Sequence, residues 1–227
     1  MKIALFGDVH GFFEHGGNLA IERFQEVVES IQADLLLQVG DLCYYRPLSQ
    51  PLHWIYGNND APELVKKRQR AGRELKNLRL LNTGEIRIFS REREDLKLAG
   101  LNGAHDPLFY SSNGKEALDI RAKGFFVEED IRRCSRLKGL DIFLTHGCPK
   151  GLGFRWQGKD IGDEPIRALL EEIDTRYFFC GHVHLFHRVR YKDTEIISLA
   201  EFKEEYYLFD SLSGELEQIR TSSLPGV

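Results

Sequence analysis

This chain contains a series of short apolar segments. Each of them ends abruptly at a polar cluster that contains glycine. The most distinct of them cover residues 2–6, 34–39, 53–56, 141–145 and 177–180. The first, Lys2-Ile-Ala-Leu-Phe6, leads directly into Gly7-Asp8-Val9-His10, and the others end in a similar way. Continuous apolar runs of this length are typical of strands that are buried on both faces, as in a sheet covered by helices. The pattern therefore predicts interior strands of an α/β protein.

Between these strands, apolar positions recur at helical spacing. Helices are predicted over residues 18–32, about 62–76, 128–137 and 165–173. In the first of them the apolar positions are Leu19, Phe24, Val27, Val28 and Ile31. Asp60 and Glu63 resemble a capping box and, with Pro62 in the first turn, predict the start of the second helix.

The remaining segments complete a single α/β domain over residues 1–227. Further strands are predicted over residues 84–89, 96–101, 195–199 and 206–210. Strands that alternate with helices indicate right-handed crossover connections. Residues 103–124 show no clear period and contain Pro107 and Gly114, so we expect a long surface loop there that could act as a lid.

Composition narrows the class of protein. The chain has 227 residues, of which 42% are apolar and 29% are charged, and this excludes a disordered or collagen-like protein. A net charge of −4 argues against a dedicated nucleic-acid binder, although it leaves room for a local basic groove. The four cysteines, which form no CxxC pair, are expected to be reduced and mostly buried. With no long apolar segment and no signal peptide, we expect a soluble cytoplasmic protein.

Polar side chains with metal-binding chemistry follow five of the predicted strands. They are two carboxylates, four imidazoles and one amide: Asp8, Asp41, His10, His146, His182, His184 and Asn58. Ligands of open α/β sheets bind outside the carboxyl ends of the strands, so these side chains are expected on one rim. Imidazole and carboxylate suit divalent ions such as Mn, Fe and Zn. Seven ligands are too many for one tetrahedral zinc but suit two ions that share a bridging carboxylate.

The order of these motifs resembles that of the calcineurin-like metallophosphoesterases. The motifs are Gly7-Asp8-Val9-His10, Gly40-Asp41, Gly57-Asn58-Asn59-Asp60, Thr145-His146-Gly147 and Gly181-His182-Val183-His184. The resemblance implies a four-layer α/β sandwich, with two mixed β-sheets packed face to face and helices outside. It implies that Asp8, His10 and His184 hold one metal. It further implies that Asn58, His146 and His182 hold a second and that Asp41 bridges the two.

One motif departs from the family. Members often carry a histidine, poised to protonate the leaving group, where this chain has Asn59, and an amide cannot act as an acid near neutral pH. Asn59 could still contact a phosphoryl oxygen, and His105 could supply the missing proton or be an ordinary loop histidine. Asn58 is also a candidate substrate contact. Arg155 could clamp a phosphate and Trp156 could stack on a base, or both could simply pack at the domain edge.

The resulting hypothesis is a hydrolase of phosphate esters that depends on two divalent metals. Mn is the expected metal, and Fe, Zn and Ni are alternatives. Two such ions can generate a bridging hydroxide that attacks phosphorus in line. Without an imidazole acid, easily departing groups should react best, so we expect activity on aryl esters, with phosphodiesters somewhat preferred. The expected substrate is a phosphorylated small molecule or a nucleotide, and no membrane partner is expected.

Two alternatives stay open from the sequence. A nuclease or nucleotide hydrolase with the same chemistry is supported by the basic run Lys66, Lys67, Arg68, Arg70 and Arg73, although the net charge opposes it and such a run is usually a solvated helix face. A non-catalytic protein-binding module on the same fold is the other alternative. Such modules tend to have lost metal ligands, whereas all seven candidate ligands are present here.

Overall fold

The computed structural model describes residues 1–11, 20–70, 75–91 and 94–223. A six-stranded sheet contains both ends of the described chain, in the order β14-β13-β1-β2-β3-β4. Its strands are β1 (Lys2–Phe6), β2 (Leu35–Gln38), β3 (Leu52–Trp54), β4 (Leu78–Leu80), β13 (Glu205–Asp210) and β14 (Leu216–Arg220). Strands β1 to β4 are parallel, and β13 and β14 are antiparallel to their neighbours.

A second sheet of six strands has the order β11-β12-β10-β7-β6-β5. Its strands are β5 (Arg87–Arg91), β6 (Glu94–Leu101), β7 (Leu140–Thr145), β10 (Thr175–Cys180), β11 (His187–Tyr191) and β12 (Thr194–Ser198). The four central strands are parallel, and the two edge strands are antiparallel to them. A separate small hairpin pairs β8 (Arg155–Trp156) with β9 (Lys159–Asp160).

Alternating side chains of each strand serve two different apolar cores. Ile3 and Leu5 of β1 point to the core between the sheets, where they join Ile142 and Phe179 of the second sheet. Phe6, on the opposite face of β1, packs against the helical layer outside the first sheet. A third cluster lies outside the second sheet. The arrangement is the four-layer α/β sandwich with two mixed sheets that was expected.

Five helices occur in the described residues, and four of them pack on the outer faces of the sheets. The five are α1 (Ala20–Ser30), α2 (Pro62–Arg70), α3 (Gly114–Ala122), α4 (Glu128–Cys134) and α5 (Glu164–Glu172). The predictions for α1, α4 and α5 hold to within a few residues at each end. Leu19 and Arg73, which figured in the sequence analysis, lie outside the described residues. None of the helices in the described part of the chain is long and apolar enough to cross a membrane.

The prediction of a long surface loop over residues 103–124 is wrong for its second half, which forms α3. Ala117 and Ile120 are the buried positions of this helix, and they pack with Val127 in a small apolar cluster. Leu118 between them is 62% exposed and breaks the apolar period that would otherwise have predicted the helix. The start of the segment is also fixed, because Ala104 forms a β-bridge with Phe125.

Candidate metal centre and substrate pocket

The parallel strands of both sheets deliver the candidate ligands to one rim. Asp8 follows β1 and Asp41 follows β2 in the first sheet, while His146 and His182 follow β7 and β10 in the second. Because the two sheets are packed face to face, ligands from both strand ends converge where the layers meet. All seven candidate side chains lie close together at this rim.

One group of candidate ligands consists of Asp8, His10 and His184. The Nε2 atoms of the two histidines lie 3.3 Å apart, and Asp8 Oδ1 is 3.5 Å from His184 Nε2 and 3.9 Å from His10 Nε2. Asp8 is fully buried, and its Oδ1 has no hydrogen-bond partner. A buried carboxylate oxygen without a hydrogen bond is costly, and a divalent cation would remove that cost. These residues therefore fit a metal ion.

A second, overlapping group consists of Asp8, Asp41 and His146. His146 Nε2 lies 3.4 Å from Asp41 Oδ2, and it is 3.1 Å from both Asn58 Oδ1 and His182 Nδ1. Asp41 Oδ2 is also 4.0 Å from His10 Nε2 in the first group. Asp41 thus also comes close to the first group, while Asp8 is the carboxylate that the two groups share.

Hydrogen bonding prepares His146 for metal binding. Its Nδ1 lies 3.0 Å from the carbonyl oxygen of Val39, which can only accept, so Nδ1 carries a proton and Nε2 is the nitrogen that can bind an ion once it loses its own proton. Burial opposes the charged imidazole, but the hydrogen bond to Asp41 and the charge of Asp8 outweigh it and raise the pKa of His146 to about 9. Burial likewise opposes ionisation of Asp41, yet His146 holds the pKa of that carboxyl well below its usual range.

A buried carboxylate, Asp60, holds the two ligand loops of the first sheet together. Its Oδ2 accepts hydrogen bonds from the backbone N–H of Asp41 at 2.8 Å and of Gly57 at 2.9 Å. Its Oδ1 accepts from the N–H of Cys43 at 2.8 Å and from the Tyr45 hydroxyl at 3.0 Å. The prediction that Asp60 caps α2 is therefore wrong, because its oxygens bind the loops around Asp41 and Gly57.

Glycine is required where these loops approach the imidazole. A Cβ on Gly57 would lie 2.6 Å from His146 Nε2, and one on Gly40 would lie 2.5 Å from His146 Nδ1. Gly40 also has a φ of +101°, which disfavours any other residue. The glycines before Asp41 and Asn58 thus provide the space that the ligand cluster occupies.

Comparisons with known proteins agree with this geometry. A family profile described as calcineurin-like phosphoesterase matches residues 1–186. The chain belongs to this family. Membership implies two divalent metal ions, and the overlapping ligand groups described above are candidates to hold them.

Individual relatives are more distant. The lariat debranching enzyme of Arabidopsis thaliana is 24% identical over 234 aligned residues, which cover 81% of this chain and 54% of that protein. The chain therefore spans about half the length of this curated relative. The protein TT1561 of Thermus thermophilus has a similar fold, with a TM-score of 0.68, 18% identity and coverage of 97% and 98% of the two chains. GAP50 of Plasmodium, the anchor in the inner membrane complex, has a TM-score of 0.52 and 11% identity, with coverage of 97% and 88%.

Asn59, which stands where family members often have a histidine, contacts the candidate bridging carboxylate. Its side-chain Nδ2 donates to Asp41 Oδ2 at 2.6 Å, and its backbone N–H donates to Asp41 Oδ1 at 2.9 Å. These bonds fix the orientation of Asp41. The amide of Asn59 therefore acts on Asp41 as a hydrogen-bond donor.

His105 lies beside the cluster and forms a dyad with Asp163. Its Nδ1 is 3.2 Å from Asp163 Oδ1, and its ring packs against Phe126 and Tyr110. Asp163 in turn approaches the loop of His146, since a Cβ on Gly147 would lie 2.5 Å from Asp163 Oδ2. Asp163 thus lies close to Gly147, the residue that follows His146.

A pocket of about 450 Å³ opens next to the candidate ligands. Its lining consists of Trp156, Ile161, His182, Val183, His184 and Glu201. Arg155, predicted to contact substrate, is exposed and is not part of this lining. Neighbouring residues of a strand point to opposite faces, so Arg155 and Trp156 cannot both face the pocket while β8 is extended.

The described part of the basic run, from Lys66 to Arg70, lies on α2, which follows the loop of Asn58 and Asn59. Lys66 pairs with Glu63 at 3.1 Å, and Arg68 donates to the backbone oxygen of Tyr45 at 3.2 Å. Lys67 and Arg70 are exposed. Part of this run is therefore engaged within the protein.

Two residues near the site were missed in the sequence analysis. Asp60 was recognised only as a helix cap, because its partners lie up to 19 positions away in sequence. Glu201 comes directly after the last apolar residues of the segment that contains β12, at the same rim as the ligands. The rule that located the histidines, a polar residue after a buried strand, would have found Glu201 as well.

Proposed function

We propose that this chain hydrolyses phosphate esters with two divalent ions, the first held by Asp8, His10 and His184. Asn58, His146 and His182 hold the second, and Asp41 bridges them. The observation that carries the proposal is the fully buried Asp8, whose unbonded Oδ1 faces two imidazole nitrogens within 4 Å. When bound, the two ions supply Lewis acidity and a hydroxide nucleophile for in-line attack at phosphorus.

The protein's own residues position this chemistry. Asp60 and Asn59 fix Asp41, and Val39 fixes the tautomer of His146. Because Asn59 cannot donate a proton to the leaving group, esters with easily departing aryl groups should react fastest. Diesters, which carry less negative charge than monoesters, are the preferred class.

His105 is a candidate proton donor for poorer leaving groups. Asp163 binds Nδ1, so Nε2 is the nitrogen that would deliver a proton. We expect His105→Gln to slow the hydrolysis of alkyl esters more than that of aryl esters. An equal effect on both would make His105 a packing residue only.

The test is metal-dependent hydrolysis of bis-p-nitrophenyl phosphate and p-nitrophenyl phosphate. Purified protein is stripped of metal, reloaded with Mn²⁺, and compared with Asp41→Asn, His146→Ala and the control Asp119→Asn on the exposed face of α3. Turnover that needs metal, is lost in the first two variants and is retained in the control supports the proposal. A wild type that binds Mn²⁺, Fe²⁺, Zn²⁺ and Ni²⁺ without turnover would instead favour a non-catalytic binding module.

The basic side chains of α2 favour a nuclease as the second candidate. Lys67 and Arg70 are exposed next to the loop of Asn58 and Asn59. Binding through phosphate contacts would weaken steeply with salt, so the slope of oligonucleotide affinity against salt concentration measures the number of contacts. Charge reversal at Lys67 and Arg70 should flatten that slope if nucleic acid is the substrate.

A further inference from the structure

The β8–β9 hairpin presents an indole ring to the pocket beside the candidate metal centre. Trp156 is 56% exposed, whereas Trp54, the other tryptophan of the chain, is completely buried. Trp156 lines the pocket together with His182 and His184, two of the candidate ligands. A large exposed aromatic side chain next to a polar site gains from burial when a flat group stacks on it.

The hairpin that carries Trp156 is anchored at its base. Ile161 N donates to the backbone oxygen of Phe154 at 2.9 Å, and Phe154 itself is buried. Asp160 accepts hydrogen bonds from the N–H of Gly151 at 2.8 Å and of Gly162 at 2.9 Å. The backbone that carries the indole is therefore held in place before any ligand arrives, which reduces the entropy lost on binding.

The remaining lining is apolar except for one carboxylate. Ile161 and Val183 provide apolar contacts, and Glu201 provides the negative charge. Glu201 Oε1 pairs with Lys203 Nζ at 3.0 Å, while Oε2 is 3.9 Å from His184 Nδ1, which is too far for a hydrogen bond. Oε2 can therefore accept a hydrogen bond from a ligand.

This combination selects a particular kind of group. Among the described residues that line the pocket there is no lysine or arginine to hold a further phosphate, so the group that enters should be uncharged. The indole favours a flat aromatic ring, and Glu201 favours a ring that carries N–H donors. A nucleobase has both properties, whereas a phenyl ring has only the first.

We propose that this pocket is a base subsite, in which the base of a nucleotide phosphoester stacks on Trp156 and donates an N–H to Glu201. The inference rests on the proposed function, because it takes the phosphate to lie at the ligand cluster. It assigns the substrate class to nucleotides and gives Trp156 and Glu201 the role of specificity residues.

The two tryptophans make the subsite directly observable. Intrinsic fluorescence of the Mn²⁺-loaded protein is titrated with guanosine 5′-monophosphate and with ribose 5-phosphate, before measurable hydrolysis. Quenching of the exposed indole by the nucleotide, at an affinity about tenfold above that for ribose 5-phosphate, is the expected result. Equal binding of the two ligands would overturn the proposal.

Variants separate the two contacts. Trp156→Ala should remove most of the preference for the nucleotide, and Trp156→Phe should keep most of it because a ring remains. Glu201→Ala should remove the preference for guanosine 5′-monophosphate over purine riboside 5′-monophosphate, which lacks the exocyclic amino group. If Glu201→Ala lowers the affinity for Mn²⁺ and weakens both nucleotides equally, Glu201 only supports His184 and its assignment to the base falls.

Failure of the subsite and failure of the proposed function give different results. Calorimetric titration with Mn²⁺ shows whether each variant retains its fold and ion binding. Metal-dependent turnover of bis-p-nitrophenyl phosphate without any base preference would refute the subsite and leave the hydrolase. Base-selective binding without turnover of any ester would keep the subsite and refute the hydrolase.

Discussion

The ligand cluster and the β8–β9 hairpin form two sides of one pocket, but they are built in opposite ways. In the cluster, Asp8 and His146 are fully buried and are held by loops that follow long interior strands. In the hairpin, the strands have two residues each, and all four of their side chains are exposed. Trp156 has few contacts to lose, whereas His146 is bound by four different groups.

The difference separates the tasks of the two regions. Burial raises the free energy of the charged groups in the cluster. They remain charged because other charges and hydrogen bonds stabilise them in one arrangement. The hairpin carries little of the fold's stability and can vary with the substrate. Substitutions in the cluster should therefore change metal affinity and kcat, and substitutions in the hairpin should change KM.

The largest effect is expected for Asp8→Asn. Asp8 belongs to both candidate groups, and its amide replacement has no charge to offer a cation. Loss of several kcal/mol of charge stabilisation corresponds to a fall in kcat/KM of at least about 10³-fold, along with Mn²⁺ affinity. Calorimetry and steady-state kinetics with bis-p-nitrophenyl phosphate measure both quantities. Near-normal turnover in this variant, with Asp119→Asn as the control, would remove Asp8 from the site.

A smaller effect, on stability, is expected for Asp60→Asn. The carboxylate of Asp60 accepts hydrogen bonds from backbone N–H groups, such as those of Asp41 and Gly57. In the variant, the amide N–H₂ would replace one of the two accepting oxygens and would face these donors. We expect the free energy of unfolding to fall by about 2 to 3 kcal/mol, because buried donors lose their acceptor. Urea unfolding of the metal-free protein measures this, again beside Asp119→Asn. A change no larger than that of the control would mean that the ligand loops hold together without Asp60.

These first two predictions also show what the sequence could reveal. The candidate ligands were found because each follows a buried strand, and strand ends are the points where local pattern and tertiary position coincide. Asp8 and His146 are 138 positions apart, yet the order of the parallel strands brings them to one rim. The four-layer arrangement followed from the resemblance of the motifs, since the strand pattern alone did not determine how the sheets pair.

Other features depend on contacts that no local pattern records. Asp60 binds backbone groups of a loop that lies far away in sequence, so only its position three residues before Glu63 was visible. Helix α3 was missed because its buried face consists of only Ala117 and Ile120. Glu201, which follows β12, and Trp156, which lies in the β8–β9 hairpin, line the same pocket although they are distant in sequence.

Proton release on metal binding tests the electrostatics of the cluster. The pKa of His146 is raised from 6.5 to about 9, so this proton stabilises the metal-free fold below pH 6.5, and that stabilisation is lost as pH rises to about 9. A metal must displace the proton, so Mn²⁺ affinity should increase about tenfold per pH unit between pH 7 and 9. Calorimetry in buffers of different ionisation enthalpy measures the protons released. His146→Gln should abolish this dependence, and a pH-independent affinity in the wild type would contradict the assignment.

The smallest effect is expected for Asn59→His, which restores the residue that family members often carry. An imidazole here can protonate a poor leaving group, so hydrolysis of alkyl phosphate esters should rise by about tenfold while aryl esters change little. The gain lies below the usual range for acid catalysis because the variant also loses the hydrogen bond from Asn59 Nδ2 to Asp41. Asn59→Ala, which loses the bond without adding an acid, is the matched control. A new decline of alkyl ester turnover at alkaline pH in the histidine variant alone would identify the acid. If alkyl and aryl rates fell together in both variants, the contact with Asp41 would outweigh acid catalysis, and the amide would be a working part of the cluster instead of a substitute for a lost histidine.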